Sequence, residues 1–182
     1  MQTSAEGNRL TRLQCAVAAL ALAVTASLAA AAYVPESVKA PANEILSLQS
    51  KAIGVQIYTC RARKDDPYRY EWTFKAPEAE LYDGSGKRIG RHYGGPTWEL
   101  DDGSKVVGEV KRSDDGPDAN AIAWLLLTAK SNSGTGVLGR TTNIQRVDTT
   151  GGRAPADGCE AKQEGRELRV PYTATYNFFS AA

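Results

Sequence analysis

The 182-residue sequence has one histidine, His92, one methionine, three phenylalanines and three cysteines. A single histidine excludes any metal centre or proton relay built from several imidazoles, and a hydrolase triad would have to use His92 as its base. No serine sits in G-x-S-x-G and no two cysteines stand in C-x-x-C, so neither a nucleophile elbow nor a thioredoxin-like redox pair is present. An excess of charge of one sign is equally lacking: 22 Lys and Arg balance 21 Asp and Glu. With no basic stripe and no polybasic cluster, neither nucleic acid nor an anionic lipid surface is an electrostatic partner.

Helical periodicity is missing beyond the first 32 residues, which removes the βαβ unit of a dinucleotide fold. Gly134-Thr-Gly-Val-Leu-Gly139 fits G-x-G-x-x-G literally. That motif holds a pyrophosphate only where its glycines open a helix, and the residues that follow, Arg140 to Val147, favour β structure. It reads as a hairpin loop, and no cofactor is expected. Asp114-Asp115-Gly116-Pro117-Asp118 lacks the EF-hand spacing and its distal Glu. It reads as a solvated loop, and no metal is expected.

What is present begins with an apolar leader. Met1 to Arg12 is polar with Arg9 and Arg12, Leu13 to Leu28 is almost wholly apolar, and Ala29 to Ala32 end the run. This is the pattern of a secretory signal peptide over residues 1–32, cleaved after Ala32, with an uncleaved anchor as the alternative. Residues 33–182 then form one domain, periplasmic or extracellular, with no membrane insertion after cleavage. Removing Glu6, Arg9 and Arg12 leaves 20 basic and 20 acidic residues. Cys15 leaves with the leader, and the pair Cys60 and Cys159 reads as a disulfide rather than a reactive or metal-binding thiol pair.

The domain reads as all-β. After an irregular lead-in at 33–43, strands are expected at Glu44–Gln49 and Ile53–Ala62. In the next strand Tyr68, Tyr70, Trp72 and Phe74 alternate with polar residues, as one buried face requires. Short strands follow at Ala79–Tyr82, Lys87–Tyr93, Thr97–Leu100 and Lys105–Lys111. The apolar run Ala121–Ala129 reads as a strand buried on both faces, with a short buried helix as the alternative. Arg140–Asp148 and a final alternation of Val170, Tyr172, Ala174, Tyr176 and Phe178 complete the chain. About eight to ten short antiparallel strands joined by turn residues predict an up-and-down barrel or a sandwich.

Residues 88–104 concentrate the chemistry: His92, Tyr93, Trp98, the turn Gly94-Gly95-Pro96, Glu99, Asp101 and Asp102. A barrel lined by Tyr and Trp suits a small ligand, because these side chains pair an apolar body with a polar tip. The expected ligand site is His92, Tyr93, Trp98 and Glu99, with Arg146 as an anion partner. If the protein is an enzyme, Glu99 and Asp101 share one strand face at a spacing compatible with acid–base work on a glycosidic bond, with His92 nearby. Trp98 projects from the opposite face of that strand.

Several motifs in order also resemble a known family. They are Gly54-Val-Gln-Ile-Tyr-x-Cys60, Trp72-x-Phe-x-x-Pro-x-Ala79-x-Leu81 and His92-Tyr-Gly-Gly-Pro-Thr-Trp-Glu99. Asp102-Gly-Ser104, Trp124-Leu-Leu-Leu127, Ile144-Gln-Arg146, Thr150-Gly-Gly152 and Pro171-Tyr-Thr-Ala-x-Tyr176 follow. Together they resemble the Domain of Unknown Function 3455 family of secreted bacterial and fungal proteins. The resemblance implies export and a single domain, and supplies no catalytic residues. A shorter pattern, Tyr-x-Cys before an aromatic strand with a later cysteine, is similar to small periplasmic β-barrel lysozyme inhibitors and implies a protein partner. The leading expectation is an exported, non-enzymatic β-domain that binds a small molecule, glycan or envelope component. A carbohydrate-directed hydrolase and a protein-binding inhibitor of the cell envelope are the alternatives. N-terminal sequencing of the exported protein should read Tyr33-Val34-Pro35; a sequence starting at Met1 would identify a retained anchor.

Overall fold

A computed structural model describes residues 33–182 of the chain; the expected signal peptide, with Cys15, lies outside the described residues. The strands are β1 (Glu44–Ala62), β2 (Tyr70–Tyr82), β3 (Arg88–Tyr93), β4 (Thr97–Leu100), β5 (Lys105–Asp114), β6 (Trp124–Ser133), β7 (Asn143–Gly151) and β8 (Glu167–Ala181). Each pairs antiparallel with its neighbour in sequence, and β8 returns to pair with β1, which closes an up-and-down barrel. Of the two architectures that alternation allows, the structure is the barrel.

Two pairs of expected strands are each one strand, and the strands expected at 121–129 and 140–148 run instead over Trp124–Ser133 and Asn143–Gly151. Glu44–Ala62 is one 19-residue strand, not two. Ser50, Lys51 and Ala52 break the hydrophobic pattern, but Lys51 pairs with Tyr82 on one side and Thr175 on the other. Ladder bonds on both sides hold the backbone extended whatever the side chains prefer. Likewise Tyr70–Tyr82 is continuous through Pro77. The first part of β2 has only β1 beside it, because β3 joins at Ala79 opposite His92, and a strand with one free side tolerates a missing N–H.

The same half-paired stretch explains the aromatic stripe. Tyr70 and Trp72 are only half-buried and Phe74 is 53% exposed, while Tyr68 stands outside the strand. Regular alternation predicts a buried face, but this part of β2 projects past β3 and forms one lip of the barrel. By contrast, the apolar run is buried on both faces, as its sequence predicts. Leu125 and Leu127 join the barrel core, while Trp124 and Leu126 pack with Val147 beneath Val34 and Val38 of the lead-in. Gln145 Nε2 fastens that lead-in by donating to the Val38 carbonyl at 2.7 Å.

Inside the barrel, Leu81, Leu100, Val106, Ile144 and Phe178 fill one end. The glycine-rich loop between β6 and β7 ends in a 3₁₀ turn, Val137–Arg140, which inserts the fully buried Leu138 as a plug. Gly108 leaves room for the Trp98 indole: a Cβ there would lie 3.0 Å from Trp98 Cζ3 and 3.2 Å from Leu127 Cδ2. At the other end, the Cys60–Cys159 disulfide ties the β7–β8 loop to β1, across a sequence separation of 99. Replacing both cysteines with serine should lower unfolding free energy by on the order of 4 kcal/mol, the chain-entropy expectation for a loop this long. Urea denaturation of the two forms checks this; equal midpoints and slopes would mean that the bridge contributes nothing.

Candidate functional site

The unplugged end of the barrel opens into a cavity of about 540 Å³, within the size range of small-molecule sites. Trp98, His92 and Tyr176 line its inner part, and Ile122, Leu125 and Leu127 form an apolar wall. Gln56, Tyr58 and Arg146 supply polar groups. Phe74, Lys75, Pro96, Asp115 and Arg153 line it nearer solvent.

The inner residues form an aromatic layer. His92 and Trp98, opposite one another on β3 and β4, stack with ring centroids 4.3 Å apart and planes 10° apart. Tyr176 meets both edge-on, at 5.1 Å from His92 and 5.2 Å from Trp98. Alternation along β3 turns Gly90 and His92 inward and Arg91 and Tyr93 outward. The Gly94-Gly95-Pro96 turn brings the Thr97 carbonyl 2.8 Å from His92 Nδ1. A carbonyl only accepts, so Nδ1 carries the hydrogen and Nε2 is left as an acceptor. Burial holds His92 neutral, pushing its pKa down to about 3; the Thr97 contact opposes that shift and the positive charge of Arg146 adds to it.

Three buried polar atoms of the lining make no hydrogen bond of normal geometry: Gln56 Nε2, beside the Tyr172 hydroxyl, Trp98 Nε1, and the Tyr176 hydroxyl, beside Tyr172 and Arg146. Their residues are each no more than 2% exposed. Burying an unpaired donor or hydroxyl costs about 1–3 kcal/mol, which a bound molecule can offset. Tyr58 differs, because its hydroxyl donates to the Gly152 carbonyl at 2.7 Å and anchors the start of the disulfide-tied loop. Arg146 donates from Nε and Nη2 to the Ala123 carbonyl at 2.9 and 2.7 Å. Among the described residues no carboxylate pairs with it.

The barrel wall divides the residues singled out in the sequence. His92, Trp98 and Arg146 line the cavity together. Tyr93 and Glu99 stand on the outer side, where the Tyr93 hydroxyl donates to Glu99 Oε2 at 2.6 Å and Arg91 pairs with the same carboxylate at 3.1 Å. Those two contacts, the Tyr93 hydrogen bond first, hold the Glu99 pKa below its ordinary value, so at neutral pH it is an ionised acceptor rather than an acid. Asp101 is engaged by Arg88 at 2.9 Å, in the turn beyond β4. Asp114 and Asp118 accept from the backbone N–H groups of Gly116 and Asn120, closing local turns.

Sequence reasoning did not single out Gln56 or Tyr58. Gln56 shares an inward face with Ala52 and Gly54, but the outward set, Ile53 and Val55, is the more apolar of the two. Only the closed structure reveals which face is interior.

His92 makes stability depend on pH. The folded state keeps it neutral down to about pH 3, whereas the unfolded chain takes up a proton near 6.5. Between those values the unfolded state binds more protons, so this contribution is full above pH 6.5 and is lost as pH falls. The expected slope from this group is roughly 1.4 kcal/mol per pH unit below about pH 6. Depressed carboxylates such as Asp83 and Asp102 add in the same direction lower down. Denaturation of wild type and H92Q from about pH 7 to about pH 4 isolates the histidine; identical slopes would show that His92 titrates normally.

Comparison of the sequence with curated proteins and with solved structures finds no match. The family described as Protein of unknown function (DUF3455) matches residues 41–180. That span runs from just before β1 to within one residue of the end of β8 and takes in every cavity residue. The chain therefore belongs to the DUF3455 family.

Proposed function

We propose that this protein is an exported binding module that holds a small molecule in the open end of its barrel. The observation that carries the reading is the cavity of about 540 Å³, lined by the aromatic layer and by Gln56, Trp98 and Tyr176, each of which carries a buried polar atom without a hydrogen-bond partner. A barrel interior serving stability alone would be filled, as it is at the Leu138 end. The aromatic layer offers a flat apolar surface and the polar atoms fix orientation, the usual division of labour in a ligand site. Export is supported by the Cys60–Cys159 disulfide, a bond that persists outside reducing compartments, and by the leader read from the sequence.

Native mass spectrometry of protein recovered undenatured from its own compartment should reveal an adduct of a few hundred daltons, on the order of what such a cavity accommodates. Y176F and W98F should each reduce retention of the adduct about tenfold, the effect of one lost buried hydrogen bond or stacking surface. E99Q, altered outside the cavity, should leave retention unchanged. An adduct lost in E99Q but kept in W98F would place the site on the outer surface and overturn the reading.

A further inference from the structure

We infer that the cavity selects a small organic monoanion, a carboxylate in the first instance, seated against Arg146, Tyr176 and Gln56 with its apolar body over Trp98 and Leu125. This rests on the binding reading above and adds the charge class of the ligand.

Arg146 is an unusual residue to find on the interior face of a barrel. On β7 it is flanked across the ladders by Leu125 on β6 and Tyr176 on β8, and cross-strand partners project to the same face. Tyr176 is 1% exposed, and Ile144, two residues before Arg146 on the same face, is fully buried. The guanidinium is thus half-buried in a largely apolar enclosure. Its two bonds to the Ala123 carbonyl fix its plane and occupy two of its five N–H donors. They do not neutralise its charge, and among the described residues no carboxylate does so. A half-buried cation without a counter-ion favours an anionic guest.

The surrounding groups point the same way. Trp98 Nε1 and Gln56 Nε2 are pure donors, and the Tyr176 hydroxyl is a third group free to donate. Arg146 and three residues that carry unpaired donors line one cavity, a set that suits an oxyanion, which accepts at several lone pairs. The charge of Arg146 reaches across the cavity: it opposes protonation of His92 and counters the burial-driven rise of the Tyr58 and Tyr176 phenols.

The count of charges fixes the valence. His92 is neutral at pH 7. Lys75 is paired with Glu167, and Arg153, whose donation to the Ala119 carbonyl leaves its charge in place, adds one positive charge to that of Arg146. The exposed Asp115 carboxylate also lines the cavity and adds a negative charge. One uncompensated positive charge therefore faces the guest, which suits a carboxylate and leaves a phosphate monoester with charge unmatched.

The test uses matched pairs of commercial compounds with the mature, disulfide-intact protein at neutral pH. Octanoate is compared with octanamide, phenylacetate with phenylacetamide, and phenyl phosphate serves as a dianion, all by isothermal titration calorimetry. Each carboxylate should bind at least tenfold more tightly than its amide and than phenyl phosphate. R146Q should erase the acid–amide difference, and R146K should keep most of it. Should R146Q fail to fold, the wild-type ratios and R146K still decide. Equal affinity for acid and amide would overturn the anion inference while leaving the binding reading standing. Tighter binding of phenyl phosphate would overturn the monovalent assignment. No binding of any of the five compounds would count against the cavity as a binding site and remove both.

Discussion

Pairing of β1 with β8, from Glu44 opposite Ala181 to Thr59 opposite Glu167, leaves the sheet without a free edge over most of its circumference. The fold and the site both depend on that ladder. Once the sheet is closed, each strand has one set of side chains enclosed and one set outside, and the enclosed volume is fixed by the geometry of eight strands. Side chains fill it at the Leu138 end. At the other end, where β2 runs past β3 with a single neighbour, they do not.

Closure also decides what polarity means for each residue. Arg146 and Gln56 would be ordinary surface groups on an open sheet; inside the barrel they become a half-buried charge and an orphaned amide. Glu99, one residue from Trp98, falls outside and finds Arg91 and the Tyr93 hydroxyl in water-accessible surroundings. Adjacent residues on β4 thus live in different electrostatic environments, and the barrel wall between them is one strand thick.

Much of the architecture was legible in the sequence, because turn chemistry and alternation are local. The Gly94-Gly95-Pro96 turn, the strands on either side of it, the β8 alternation and the double-sided burial of Trp124 to Leu127 all read directly. The Cys60–Cys159 pairing followed from there being only two cysteines beyond residue 32. What was not legible depends on neighbours far away in sequence. Lys51 sits mid-strand because of Tyr82 and Thr175, and Phe74 is exposed because β3 ends at Tyr93 and its pairing with β2 reaches no further than Ala79. The site was legible only in part for the same reason: His92, Trp98 and Arg146 carry recognisable chemistry, whereas Gln56 matters only because of which way β1 faces.

The order of the strands around the barrel has a consequence for how the protein is made. A ribosome delivers β1 first and β8 last, yet these are partners along nearly their whole lengths, and Cys60 must wait for Cys159. Until the last residues emerge, β1 has an unsatisfied hydrogen-bonding edge and the apolar run of β6 lacks a closed interior to enter. Such non-local topologies form slowly and expose sticky edges while they wait. The barrel is therefore committed only when the chain is nearly whole, and no N-terminal portion of it can assemble the cavity early.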